Sequence, residues 1–166
     1  KGEAMRRSGK KIIQIAGNPL YQAKQNKNEL ILDPRSGGPI FGQFPEISFQ
    51  NITFEAGPIY LRYGEHIAVG RGWGFEHIWK SRFPTALTKD DATPLVTGLV
   101  GGILISGAAI HHEYGLGSQS ARTSVFRSRH GVAIIERRTD GKNNVFYSVV
   151  TAFSATKVNG PKIGSI

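Results

Sequence analysis

The stretch from Arg122 to Ala155 leaves this chain the least freedom. It reads RTSVFRSRHG, VAIIERRTDGKNN and VFYSVVTAFSA, three segments rich in Val, Ile, Phe, Tyr and Thr, with Asp140-Gly141 between the last two. Branched and aromatic side chains suit a pleated, half-buried surface, and Asp-Gly favours the tight reversal that joins antiparallel neighbours. Three consecutive antiparallel strands follow, and the alternating segment PIYLRY predicts another over 59–63. A sheet with one apolar face needs cover. The expected class is therefore α+β, an antiparallel sheet of about four strands with helices packed on one face.

Two segments supply the helices. GFEHIWKSRF has the length of a short helix, with Phe75, Ile78 and Trp79 apolar and Pro84 closing it. LVTGLVGGILISGAAI, from Leu95 to Ile110, is shorter than the roughly 20 residues of a spanning helix, and Gly98, Gly101, Gly102 and Gly107 interrupt it. It predicts a buried helix after a Thr93-Pro94 start. The Gly98-to-Gly102 spacing also fits a close helix contact in a membrane, so a membrane-active segment is the other reading. Residues 1–56 are basic, then polar (QAKQNKNEL), then rich in turn formers (DPRSGGPIFGQFPE), with short apolar runs at IIQI and LIL. They read as a lead-in with one or two small elements, ahead of a domain over 57–166. The tail NGPKIGSI has no periodicity and is expected to lie over the end of the sheet.

At 166 residues the chain has the size of one domain, and Lys plus Arg outnumber Asp plus Glu by 21 to 12, a net charge of +9. Such a field attracts polyanions, nucleic acid first and an acidic protein second. The absence of cysteine excludes disulfides, thiolate nucleophiles and Cys-ligated zinc. The opening KGEAMRRSGKK carries no signal pattern and suggests a piece released from something longer.

Candidate chemistry lies in two places. Arg122, Arg127, Arg129, Arg137, Arg138 and Lys142 crowd the sheet segment against only Glu136 and Asp140. Arg127 and Arg129 share a strand face; with Ser124 and His130 they form either a phosphate grip or a solvated charged face. The second place is GEHIAVGRGWGFEHIW, where Gly70, Gly72 and Gly74 lead to His77, with Lys80 one turn on and His66 nearby. His77 is either a structural hydrogen-bonder or a group that a substrate backbone can approach. Trp73 and Trp79 can stack on a base or pack in the core. His111-His112-Glu113 matches no metal-ligand spacing, and no metal is expected.

The order GPIYLRYGEHI, RGWGFEHIWK, a helix, VFRSRHGVAIIERR and FYSVVTAFSATKVNGPKIGSI resembles the ribonuclease toxin domains of the barnase, EndoU, colicin and RelE group. Within that group it is similar to the C-terminal toxin modules of contact-dependent growth inhibition and other polymorphic secreted toxins of bacteria. The likeness spans 57–166. It implies a metal-independent endoribonuclease without cofactors, acting on tRNA or another structured RNA, with His77 on the first helix and Thr151 and Tyr147 on the last strand. Lys80 and Arg129 would support the chemistry, and Arg127, His66, Arg82 and Trp73 would hold the RNA. It also implies an acidic cognate immunity protein and no stable membrane insertion. Delivery would be as part of a larger secreted or surface protein, with action in the cytoplasm of a target bacterium. One departure stands out: such domains often carry a second histidine a turn after the first, where this chain has Lys80, Ser81 and Arg82. A non-catalytic basic RNA-binding module is the alternative that the same residues allow.

Overall fold

The computed structural model describes residues 25–113, 123–155 and 157–166. Its strands are β1 (Ile40–Phe44), a hairpin of β2 (Ile47–Phe49) and β3 (Ile52–Phe54), β4 (Gly57–Tyr60), and a second hairpin of β5 (Glu65–Ala68) and β6 (Arg71–Trp73). Helices α1 (Gly74–Arg82) and α2 (Lys89–Ile103) follow, and then β7 (Ala109–His112), β8 (Thr123–Ser128), β9 (Gly131–Thr139), β10 (Val145–Phe153) and β11 (Lys162–Ser165). Seven strands form one sheet in the order β1-β4-β10-β9-β8-β7-β11. Five of its junctions are antiparallel, whereas β4 and β10 run parallel, Ile59 facing Tyr147 and Tyr60 facing Ser148.

This corrects the expected four-stranded antiparallel sheet covered by helices. The C-terminal strands β8, β9 and β10 are where the side-chain pattern puts them. The additional strands are short: β1 sits among turn formers, β7 is the end of an apolar run that reads as helix, and β11 lies in a tail without periodicity. Strand pairing needs only backbone groups, so such short strands leave little mark in a sequence. The reversal expected at Asp140-Gly141 is present. Asp140 Oδ1 accepts from the backbone N–H of Lys142 (2.8 Å) and Asn144 (2.9 Å), and the left-handed residue of the loop is Asn143, at φ 62°.

The sheet curls until its edges meet. A Cβ placed on Gly42, in edge strand β1, would lie 3.7 Å from Cδ1 of Ile166, just past the opposite edge strand β11. Inside the curl Phe44 stacks on Tyr147 at 4.1 Å, meets Phe126 edge-on at 5.9 Å and lies 5.9 Å from Phe54, all four fully buried. Residues 25–56, read from sequence as lead-in, thus supply Ile31, Phe41, Phe44, Ile47 and Phe54 to the same core. Residues 1–24, including IIQI, lie outside the described residues. Arg35 ties this segment to α2, donating from Nη1 to the carbonyls of Gly101 (2.8 Å) and Leu104 (3.1 Å) at the helix end, where carbonyls have no partner within the helix.

Helix α2 starts a turn earlier than the Thr93-Pro94 reading, because the Thr88 side chain caps it by accepting from Asp91 N at 3.2 Å. Pro94 falls inside the helix, and Ala109 onward is strand rather than helix. A Cβ on Gly98 would meet nothing within 4 Å, so among the described residues no close helix contact uses the Gly98-to-Gly102 spacing. Among the described residues no helix is long and apolar enough to cross a membrane.

If β1 belongs to the core as described, Phe44→Ala costs about 3–5 kcal/mol in urea unfolding. A change within about 0.5 kcal/mol, the size of a surface substitution, would contradict that packing.

Candidate active site

The glycine-rich stretch builds the β5–β6 hairpin, in which Glu65 faces Trp73 and His66 faces Gly72. Gly72 has φ +146°, and a Cβ there would stand 2.6 Å from Nδ1 of His77. The room that its missing side chain leaves is therefore filled by the His77 imidazole itself. Helix α1 leaves the hairpin at once and is held at its start by backbone bonds from Phe75 N to Arg62 O and from Glu76 N to Tyr63 O, both 2.9 Å. Phe75 and Ile78 enter the core, and His77 between them turns to the hairpin.

There the two histidines meet. Nδ1 of His77 lies 3.1 Å from Nδ1 of His66, with the rings stacked at 5.3 Å and 24° apart. Ser81 Oγ is 3.4 Å from the same His77 nitrogen. Glu76 braces the arrangement, accepting from His66 N (3.3 Å) and from Lys80 Nζ (2.7 Å). His77 is 5% exposed. Burial, with the neighbouring His66 and Arg82, holds its pKa below the ordinary 6.5. An Nδ1-to-Nδ1 bond also dictates tautomers when both rings are neutral. The donor ring carries its proton on Nδ1 and has a bare Nε2, while the acceptor ring carries its proton on Nε2. One pair then presents a base and a proton donor.

Past the histidines, α1 docks on the end of β10. Arg82 Nε donates to the Ala152 carbonyl at 3.3 Å, and the guanidinium lies 5.1 Å from the Phe153 ring. It opens on a cleft of about 560 Å³ lined also by Phe83, Leu95, Leu99 and Ser154. Thr151 follows a bulge in β10 next to Ala152, and its Oγ1 is buried without a hydrogen-bond partner among the described residues. Phe153 faces Val132, which faces Arg127, so Arg127 stands two strands, about 10 Å, across the sheet from this end. Arg129 is exposed in the following turn, donating from Nε to His130 Nε2 at 3.0 Å.

Other sequence candidates are placed elsewhere. Tyr147 is fully buried, and its hydroxyl donates to the Glu55 carbonyl at 2.7 Å. Lys80 is paired with Glu76, and the Trp73 ring is covered by the Arg62 guanidinium at 4.3 Å. Arg122 lies outside the described residues, and so does the side chain of Ser124. His111 meets the Gly160 carbonyl at 3.1 Å, and His112 packs on Phe54 at 5.5 Å. Among the described residues no group of three or more His, Cys, Asp or Glu could hold a metal. Sequence reasoning missed Ser81 and Glu76; Ser81, four residues after His77, was readable from helical spacing alone.

Comparison with protein-family models, with curated proteins and with solved structures finds no match to this chain.

A lowered histidine pKa means that the unfolded chain takes up a proton more readily than the folded one. The corresponding stability is complete above pH 6.5 and is lost as pH falls from there toward the folded-state value. Urea midpoints of the wild type should therefore fall more steeply below pH 6.5 than those of His77→Gln. Parallel curves would contradict the depressed pKa.

Proposed function

We propose that this protein is a metal-independent endoribonuclease, and the observation that carries the reading is the 3.1 Å contact between the ring nitrogens of His66 and His77. Cleavage without a metal makes the 2′-hydroxyl the nucleophile. One group must take its proton as the 2′-oxygen bonds to phosphorus, and another must give a proton to the departing 5′-oxygen as that bond breaks. The tautomer-locked pair supplies both from one place. As Nε2 of His77 takes the 2′-proton, the shared proton passes from Nδ1 of His77 to Nδ1 of His66 while Nε2 of His66 gives its proton to the 5′-oxygen, so both rings end neutral. The depressed pKa keeps His77 neutral near pH 7, which suits a base, and the half-exposed His66 beside it is the donor. Arg82, whose charge acts on His77, stabilises the phosphorane charge, and the Thr151 hydroxyl lies buried near it on β10 without a hydrogen-bond partner among the described residues. Arg127 and Arg129 extend the positive end of the sheet along the RNA backbone. Tyr147 and Lys80 receive no chemical step, because each is bonded elsewhere.

The +9 charge supports an anionic substrate, with tRNA or another structured RNA as the class. An enzyme of this kind endangers its producer. The reading therefore includes delivery as part of a larger secreted or surface protein, action in the cytoplasm of a target bacterium, and a cognate immunity protein. That partner is acidic, since complementary charge speeds encounter and carboxylates can occupy phosphate positions.

The test is cleavage of tRNA and total RNA in EDTA. His77→Ala and His66→Ala are each expected to lower kcat/KM by about a hundredfold or more. The double variant should be hardly worse than either, because the two act as a unit. The acid limb of the wild-type profile should lie below pH 6.5. Intact RNA with the wild type would leave a non-catalytic RNA-binding module, in which the buried His77 only packs the hairpin. Full activity in His66→Ala would remove the pair from the mechanism.

A further inference from the structure

A second cleft, away from the histidine pair, lies along the parallel junction of β4 and β10. Strand alternation sends Ile59, Leu61, Tyr147 and Val149 into the core and turns Tyr60, Arg62, Phe146 and Ser148 to the other face. On that face Arg62 is pinned at two points. Its Nε donates to Ser148 Oγ (2.9 Å) and its Nη1 to Asn28 Oδ1 (2.8 Å). Its guanidinium lies 4.3 Å from the Trp73 ring centre and 5.5 Å from that of Phe146, and Tyr60 continues the row 5.7 Å from Phe146. Of these, Asn28, Tyr60, Arg62 and Phe146 line a cleft of about 570 Å³, within the range of roughly 300–1,000 Å³ of small-ligand sites.

The charge on Arg62 has no ion-pair partner among the described residues. Glu136, on the neighbouring strand, is taken by Arg138 at 3.0 Å. Burial, reinforced by the Arg138 charge and only partly offset by Glu136, pulls the Arg62 pKa below its usual value. At the other rim Asp140 is an acceptor, its carboxylate held by Asn144 and the Lys142 backbone. A phosphate is attracted at the Arg62 end and repelled at the Asp140 end, while the partly exposed Tyr60 and Phe146 supply aromatic surface between them.

We propose that this cleft holds one unstacked nucleotide of single-stranded RNA, its base against Tyr60 and Phe146, its phosphate on Arg62 and its base edge toward Asp140 and Asn144. The proposal rests on the reading of RNA as the substrate and gives the enzyme a subsite for a nucleotide away from the cut. Stacking of bases on aromatic side chains with an arginine at the backbone is the general way that single strands are held.

The probe is a labelled 2′-O-methyl oligoribonucleotide of mixed sequence, which cannot be cut by 2′-hydroxyl attack, and binding is followed by fluorescence anisotropy at several salt concentrations. Arg62→Gln should weaken binding about tenfold and reduce the salt slope by about 0.7, the loss of one phosphate contact on a single strand. Phe146→Leu, which retains apolar volume, should weaken it about fivefold or more. Wild-type affinity in a folded Arg62→Gln protein would overturn the proposal; if that variant fails to fold, wild-type affinity in both Phe146→Leu and Tyr60→Leu would do so. Cleavage assays on ordinary RNA separate the two readings. Arg62-dependent binding without any cleavage retains the cleft and removes the ribonuclease, whereas cleavage with an unchanged KM in Arg62→Gln retains the ribonuclease and removes the cleft.

Discussion

The short parallel junction between β4 and β10 is the contact on which the rest of this structure depends. Only Ile59–Tyr147 and Tyr60–Ser148 stand in register there, yet the pairing joins residues from the two ends of the domain into one sheet. It seats Tyr147 under Phe44 on the inner side and Arg62 over Ser148 on the outer side. It also sets α1, which starts on the backbone of Arg62 and Tyr63, against β10, where Arg82 reaches the Ala152 carbonyl. Long-range pairing of this kind must overcome a large loop-closure entropy, and the stacked aromatic core around Phe44 is what offsets it.

The histidine pair is a local consequence of that scaffold. A hairpin whose inner position is glycine lets an imidazole from the following helix lie against the histidine opposite, and burial then lowers the pKa of that imidazole, His77. Nothing else in the described residues places two titratable rings in hydrogen-bond contact beside an arginine. The chemical asymmetry of the pair comes from geometry rather than from residue type, since two identical side chains become a base and a donor by sharing one proton position.

Much of this was legible in the sequence, for reasons that differ by element. The strands β8 to β10 and helix α1 announce themselves through branched residues, an Asp-Gly turn and a closing proline. The seven-stranded mixed sheet does not, because β1, β7 and β11 have five residues or fewer and pair through backbone groups that any sequence supplies. The glycines around His77 marked a crowded place correctly, but periodicity could not say that the crowding ligand was the imidazole and not a substrate. His66 was visible as a neighbour, whereas its direct contact with His77 depends on the hairpin register. The resemblance gives Tyr147 in FYSVV a place in the chemistry, but its strand position turns it into the core. Arg62 drew no notice in PIYLRY, since an outward cation on a strand is ordinary until its aromatic neighbours are known.

The outer face of the β4–β10 junction and the helix-side site belong to one positively charged molecule, so a single RNA strand crossing both would be held by Arg62 and cut near the histidines. The most direct test of that account is end-group analysis of a defined RNA incubated with the protein in EDTA, compared with the same RNA carrying one 2′-deoxy nucleotide on the 5′ side of the cut. Attack by the 2′-hydroxyl predicts 2′,3′-cyclic phosphate and 5′-hydroxyl ends, and no cleavage at the deoxy position. Ends bearing 3′-hydroxyl and 5′-phosphate, or undiminished cutting at the deoxy position, would contradict it.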